Sequence, residues 1–439
     1  MAVDWQIIEN RELREKLYWR TLDPGLDLYV LPKAGYQKKY AAFATHFGSI
    51  DSKFQVNGSE EIVTVPDGVA HFLEHKLFED EEGDVTSRFA ALGASSNAYT
   101  TFTHTNYLFS CTGHFRENLE LLLNFVQEPY FTAASVQKEQ GIIGQEIRMY
   151  EDHPQWRVFF NLLAALYHEH PVRIDIAGTV ESIARITPDV LYQCYRTFYH
   201  PSNMAVFVVG DLDPDAVSDQ VAENLARHKH GPLGSIRRFF PDEPPEIARQ
   251  RVTQELVVSE PLFNLGFKDP RAASLEGREL LRRETAMELL LEIIFGESEP
   301  LYNELYEDGL IDDNFDYGYT AEKTYGYTLI SGETRDPELL YRRIMDGLEK
   351  FRKDGFTEEQ FERHRRNQLG SFMQRFNSLE FIANNYLAYR FRGTDLFAYP
   401  AVLQEVKGED LMELMAENLD PQRHAVSLIL PREESGDGS

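Results

Sequence analysis

"GVAHFLEHKLFED", Gly68–Asp80, is the stretch on which the reading of this sequence turns. Val69, Phe72, Leu73, Leu77 and Phe78 point all round a helix rather than to one side, the pattern of a segment buried on every face. Yet His71, Glu74 and His75 lie inside it. At about 100° per residue the imidazoles stand roughly 40° apart with Glu74 beside them, so all three share an arc of about 100°. Burying such groups without partners is costly, so something must satisfy them together at one place.

The rest of the chain limits what that something is. With 439 residues, 42% of them hydrophobic, it can bury a sizeable core, and its length suggests two or more domains. No apolar run reaches the roughly 18 residues of a membrane span, and "MAVDWQIIENRELREK" lacks the basic start and apolar stretch of a secretory leader. A cytoplasmic location is expected. Cys111 and Cys194 are the only cysteines, too few for a disulfide framework or a thiolate zinc site and read as buried inert thiols. Any metal must therefore use histidine and carboxylate. The 72 acidic against 44 basic residues leave a formal charge of -28, which argues against nucleic acid and anionic membrane as partners. A cationic peptide would be attracted, although such an excess also serves solubility.

Two halves of similar layout follow one another. "HKHGPLGSIRRFFPDEPPE" (228–246), rich in Pro, Gly and charge, marks a linker between residues 1–227 and 247–431. The first half opens with the strand-like "LDLYVLPKAG" and "KKYAAFATHFGSID". It continues with the histidine helix, the alternating "SSNAYTTFTHTNYLFSCTG", helices over 115–127 and 133–151, a further helix pair, and the strand "NMAVFVVGDLD". The second half repeats the order with "QRVTQELVVS", "LFNLGFKD", a helix over "ELLRRETAMELLLEIIF", strands within 312–334, helices from 337 to 390 and the strand "HAVSLILP". Residues 432–439, "REESGDGS", read as a disordered tail. "YFTAASVQKEQGIIGQE" (130–146) and "GFTEEQFERHRRNQLGS" (355–371) fall at the same place in the two halves, as after a duplication. The expected fold class is α+β, two duplicated sandwich halves, each a mainly antiparallel sheet with helices packed on it.

The helix over 133–151 supplies the second clue. Glu139, Ile142, Ile143 and Glu146 recur at i, i+3, i+4 and i+7, which puts both carboxylates on the face the isoleucines would bury. Neighbouring buried acids need a cation there or they neutralise. If this helix packs on the one carrying His71 and His75, Glu146 completes a His/His/Glu zinc site with an open fourth position. Glu74 is then spare, as hydrolysis requires: a carboxylate beside a zinc-polarised water can take its proton and pass it to a leaving amine. The order H-x-x-E-H inverts the metalloprotease H-E-x-x-H. Manganese or cobalt could occupy the same ligands in vitro.

"HFLEH" with "EQGIIGQE" downstream resembles the insulinase/pitrilysin family of inverzincin zinc peptidases, which includes the mitochondrial processing peptidase. The resemblance extends through "GLDLYVLPKAGYQKKYAAFATHFGSID", "GASSNAYTTFTHTNY", "HPVRIDIAGTVESIARIT" and "FYHPSNMAVFVVGDLD". It is strongest to the short, processing-protease-like bacterial branch, which includes Gram-positive members associated with elongation factor P modification. It implies His71, His75 and Glu146 as zinc ligands, Glu74 as general base and Glu139 as an acidic residue behind the ligands. "NAYT" (97–100) is similar to the family's substrate-side edge strand, where Asn97 and Ala98 would hold an extended peptide mostly through backbone. A turn is the plain alternative for Asn97.

The second half departs from this pattern. At the places matching His71, His75 and Glu146 it has Glu288, Glu292 and Ser371, so no second metal site is expected. Active members of the family also carry an Arg and a Tyr in the C-terminal half that hold the substrate carbonyl. Here the corresponding run "LYNELYEDGLIDDNFDY" has Tyr306 at the Arg position and Asp312 or Asp313 at the Tyr position. By the resemblance, the chain is the zinc-bearing subunit of a dimer that cleaves extended or unfolded peptides in an enclosed chamber. A homologous sister subunit, or a second copy, supplies the missing pair. The alternative is a non-catalytic binding or assembly subunit that keeps the peptidase fold. Two smaller signals read as structural: His168 and His170 in "YHEHP" as a capped, solvated helix terminus, and Asp152 with His153 as the helix end before Pro154.

Overall fold

The computed structural model describes residues 4–56, 58–81, 83–231 and 234–432. The chain is α+β, as the alternation of strand-like and helical segments predicts. Seven strands form one sheet in the order Gln6–Asn10, Glu15–Leu22, Leu26–Pro32, Met204–Gly210, Lys39–Thr45, Thr105–Cys111, Ala94–Thr100. Five form a second in the order Arg251–Leu256, His424–Pro431, Leu262–Lys268, Gly326–Glu333, Asp316–Ala321. In each sheet one pair is parallel, Leu26–Pro32 with Met204–Gly210 and Arg251–Leu256 with His424–Pro431, and the other neighbours run antiparallel. Removing the first two strands from the seven leaves the connectivity of the five. The duplication read in the sequence is thus repeated in topology.

The inner strands show no alternation of buried and exposed positions: every residue of Met204–Gly210 and of Leu262–Lys268 is buried, as expected of strands covered on both faces. The cover has an unexpected source. The compact units are discontinuous in sequence, one comprising Met1–Ile147, Asp175–Phe239 and Met373–Phe391, the other Arg148–Ile174, Phe240–Phe372 and Arg392–Ser439. Helix Pro154–Leu166 packs on the five-stranded sheet and helix Leu379–Phe391 on the seven-stranded one. Each half of the sequence therefore lends one helix to the other half's sheet. Periodicity reports that a helix has an apolar face and carries no record of which sheet that face meets.

The change of unit at Phe239/Phe240 falls inside the expected linker. That stretch is not wholly loop: Ile236–Arg238 forms a strand antiparallel to Lys53–Val56. Arg238 donates from Nε to Asp51 Oδ1 at 2.8 Å and lies over the Phe198 ring. Of the expected tail, all but Arg432 lies outside the described residues. No helix among the described residues is long and apolar enough to cross a membrane.

Candidate metal centre

The histidine helix runs from Val69 to Leu77, and Val69, Ala70, Phe72, Leu73, Glu74, Lys76 and Leu77 are all buried. His71 and His75 are its two half-exposed residues. Its start is held by close backbone contact. Gly68 sits at φ +88°, and a Cβ there would lie 2.4 Å from the Ala177 carbonyl oxygen, so glycine is required on both counts. The Ser182 hydroxyl donates to the Asp67 carbonyl at 2.8 Å while capping its own helix through Thr179. "IAGTVESI" (176–183) is thus the brace that seats the histidine helix.

Helix Ala133–Glu151 buries a stripe of Val136, Glu139, Ile143 and Ile147. The expectation that Ile142 shares that stripe is not met: it is 45% exposed. The stripe is centred on Ile143, which turns Ile142 outward and leaves Glu146 on the border, where its carboxylate reaches the imidazoles. Glu146 Oε1 is 3.7 Å from His71 Nε2, and Oε2 is 3.5 Å from His75 Nε2. One donor atom from each of the three residues lies within 4.8 Å of the others, the one such cluster among the described residues. Those separations are too long for hydrogen bonds. They approach the roughly 3.3 Å that separates N and O donors around a tetrahedral ion with bonds of about 2.0–2.1 Å.

The electrostatics suit the same occupant. Glu139 Oε1 is 3.0 Å from His75 Nδ1, which fixes the ring and turns the Nε2 lone pair toward Glu146. Burial, and then the neighbouring His75, push His71 down to about 3, so its imidazole is neutral, the ligating form. Burial also disfavours charge on His75, but the bond to Glu139 and the carboxylates of Glu74 and Glu146 outweigh it and raise its pKa. A cation at the cluster would relieve this concentration of acid, and the residues present fit a divalent metal.

Glu74 stands apart from the three. It is buried, and burial pushes its carboxyl up against the pull of hydrogen bonds from Thr100. The Thr100 hydroxyl donates to Glu74 Oε2 at 2.7 Å. Thr100 ends the strand Ala94–Thr100, which is the outer strand of its sheet. The Thr101 N–H bonds the His104 carbonyl at 2.8 Å, and pairs alternate along an antiparallel ladder. Asn97, opposite Leu108, is therefore turned inward by its backbone, whereas Ala98 and Thr100 point their N–H and C=O groups away from the sheet. Asn97 offers an exposed side chain instead. The pairing of Thr100 with Glu74 leaves no signal in the sequence, although "NAYT" contains the threonine: no periodicity links residue 74 to residue 100.

The remaining candidates take structural places. Glu288 accepts from Gln368 and from the Tyr399 hydroxyl, each at 3.1 Å. Glu292 accepts from the Tyr317 hydroxyl at 2.7 Å and lies 3.6 Å from His364 Nδ1. His364 holds the place of Glu139, so the His75–Glu139 pair recurs with its members exchanged, and Ser371 supplies no carboxylate. Tyr306 is exposed and stacks on Tyr302, while Asp312 accepts from the Asn314 N–H at 2.9 Å. His170 Nδ1 accepts from the Val172 N–H, and His153 accepts from the Trp156 N–H to cap helix Pro154–Leu166.

Residues 58–180 match the family model described as insulinase (peptidase family M16), and residues 185–368 match that of the peptidase M16 inactive domain. The chain is 46% identical to a Bacillus subtilis protein named uncharacterized zinc protease YmfH, over 97% of this chain and 99% of that one. The chain belongs to the insulinase (M16) family of peptidases. An M16-like peptidase from Alicyclobacillus acidocaldarius superposes with a TM-score of 0.91 at 39% identity, covering 98% of this chain and 100% of the other. The periplasmic protease PqqL of Escherichia coli shares the fold at a TM-score of 0.75 and 18% identity, and there 98% of this chain covers 48% of the longer protein. Family membership accounts for the duplicated sheets, and relatives named as zinc proteases support a metallopeptidase in general terms.

Proposed function

We propose that this M16 chain is a zinc-dependent endopeptidase for extended or unfolded peptides, with His71, His75 and Glu146 as ligands and Glu74 as general base. The observation that carries the reading is the convergence of three donor atoms beside a buried carboxylate that is not one of them. Zinc held there would supply a Lewis acid that polarises the scissile carbonyl and acidifies the attacking water. Glu74 Oε accepts that water's proton and later returns it to the amide nitrogen as the peptide bond breaks. Glu139 keeps the His75 ring in its ligating orientation. The peptide binds as an added strand along Ala94–Thr100, paired with the outward backbone of Ala98 and contacted by the Asn97 side chain.

The run 301–317 contains no arginine, and a lost carbonyl-holding donor costs roughly 2.7 to 4 kcal/mol of transition-state stabilisation. The chain alone is therefore a weak peptidase, and a homologous subunit or second copy completes it. A relative about twice as long, in which this chain corresponds to one half, supports such pairing. The absent donors also favour a second reading, a non-catalytic subunit that binds peptide or metal without turnover.

Zinc content and cleavage of an unstructured peptide separate the two. Glu74→Gln is expected to keep its zinc and lose at least about 100-fold in rate, with turnover of the wild type rising when a sister chain is added. Metal binding without cleavage under any pairing would leave the second reading.

A further inference from the structure

We propose that Thr100 is a positioning residue that aims the Glu74 carboxylate at the metal centre, an assignment that rests on the peptidase reading. Glu74 is held by this residue through the Thr100 hydroxyl, which donates to Oε2 at 2.7 Å. Thr100 is itself set from below. Its Oγ1 lies 3.3 Å from Thr105 Oγ1, directly across the strand pair. Thr105, fully buried, donates to the Phe47 carbonyl at 2.9 Å. A hydroxyl has one proton; that of Thr105 goes to Phe47, and that of Thr100 goes to the closer acceptor, Glu74 Oε2 at 2.7 Å against 3.3 Å to Thr105. The buried side of the strand pair thus anchors the hydroxyl that meets Glu74 Oε2.

A glutamate has three side-chain torsions, and its use as a base depends on one oxygen being presented to the reacting water. Fixing Oε2 with the Thr100 hydroxyl leaves Oε1 for that task.

The test uses the zinc-loaded full chain, single-turnover cleavage of an unstructured fluorogenic peptide, zinc content, thermal melting and a crystal structure of each variant. Thr100→Val keeps the shape and β-branching of the residue and its N–H but removes the hydroxyl. It is expected to lower the saturating rate about tenfold or more, the scale of one hydrogen bond to a charged group, with KM within about twofold. Zinc stoichiometry and melting temperature should match the wild type, Glu74 should occupy more than one rotamer, and Thr100→Ser should restore both rate and rotamer. A Thr100→Val enzyme with the wild-type rate and a single Glu74 rotamer would overturn the assignment. So would equal loss in Thr100→Val and Thr100→Ser, or loss accompanied by a lower melting temperature or zinc content. If the wild type does not cleave either alone or with a sister chain added, or Glu74→Gln cleaves as well as it does, the peptidase reading fails and takes this inference with it.

Discussion

At the residue scale the site divides into groups that hold an ion and groups that aim the holders. Glu139 belongs to the second kind, touching the proposed centre only through His75 Nδ1. Glu139→Gln should therefore weaken zinc binding about 10- to 100-fold without abolishing it, whereas Glu146→Gln removes a direct donor and should abolish stoichiometric zinc. Competition with a chromophoric chelator measures both, and equal affinity in wild type and Glu139→Gln would refute the orienting role. His71, Glu74 and His75 are legible because an i, i+3, i+4 cluster of imidazoles and carboxylate in a largely apolar helix admits few structural explanations. Thr100 is not, because its role depends on which face of a strand it occupies and on what lies across the sheet edge.

At the element scale, two features invisible to periodicity carry weight. The first is the packing of helix Pro154–Leu166 on the five-stranded sheet. A Cβ added at Gly266 would lie 2.8 Å from Leu162 Cδ2 and 3.0 Å from Leu166 Cδ1, so Gly266→Val should destabilise by roughly 1–3 kcal/mol, read from urea unfolding. The second is "YHEHP". Its backbone N–H groups at His168, Glu169 and His170 all donate to the Glu243 carboxylate, at 2.7–2.8 Å. Lys268, almost wholly buried, adds a bond of 2.5 Å to the same carboxylate. Burial alone would push the Glu243 pKa up, but the Lys268 bond and the three backbone bonds hold it down at about 2. A free glutamate titrates near about 4.3, so the folded value is the lower one. The contribution to stability is then complete above about pH 4.3 and is lost as pH falls toward 2. Glu243→Gln, which leaves the Lys268 charge without its anion, should cost about 3 kcal/mol at pH 7. The gap to wild type should close as pH falls from about 4 to 2, and a pH-independent gap would exclude the ionic account. The histidines of this segment belong to a structural terminus, as the sequence suggests, but His170 is buried there rather than solvated, and the carboxylate they enclose lies 73 to 75 residues away and gives no local sign.

At the scale of the whole molecule the formal charge of -28 offers a further test. If it guides substrate rather than serving solubility alone, kcat/KM for a basic peptide should exceed that for an acidic one of equal length. The difference should shrink as ionic strength rises from about 10 to about 500 mM and the Debye length falls. A salt-independent ratio would assign the charge to solubility. The sequence by itself determined the α+β class, the duplication and the identity of the metal-centre candidates, because each is written in local spacing or in the likeness of one half to the other; the strands Gln6–Asn10 and Glu15–Leu22 lie ahead of the first one it predicts. Only the tertiary structure decided which sheet each exchanged helix covers, which oxygen of Glu74 is held, and that Ala98 rather than Asn97 turns its backbone outward. Those outcomes depend on contacts between residues far apart in the chain, where the energy of packing and of buried hydrogen bonds, rather than any local periodicity, selects the partner.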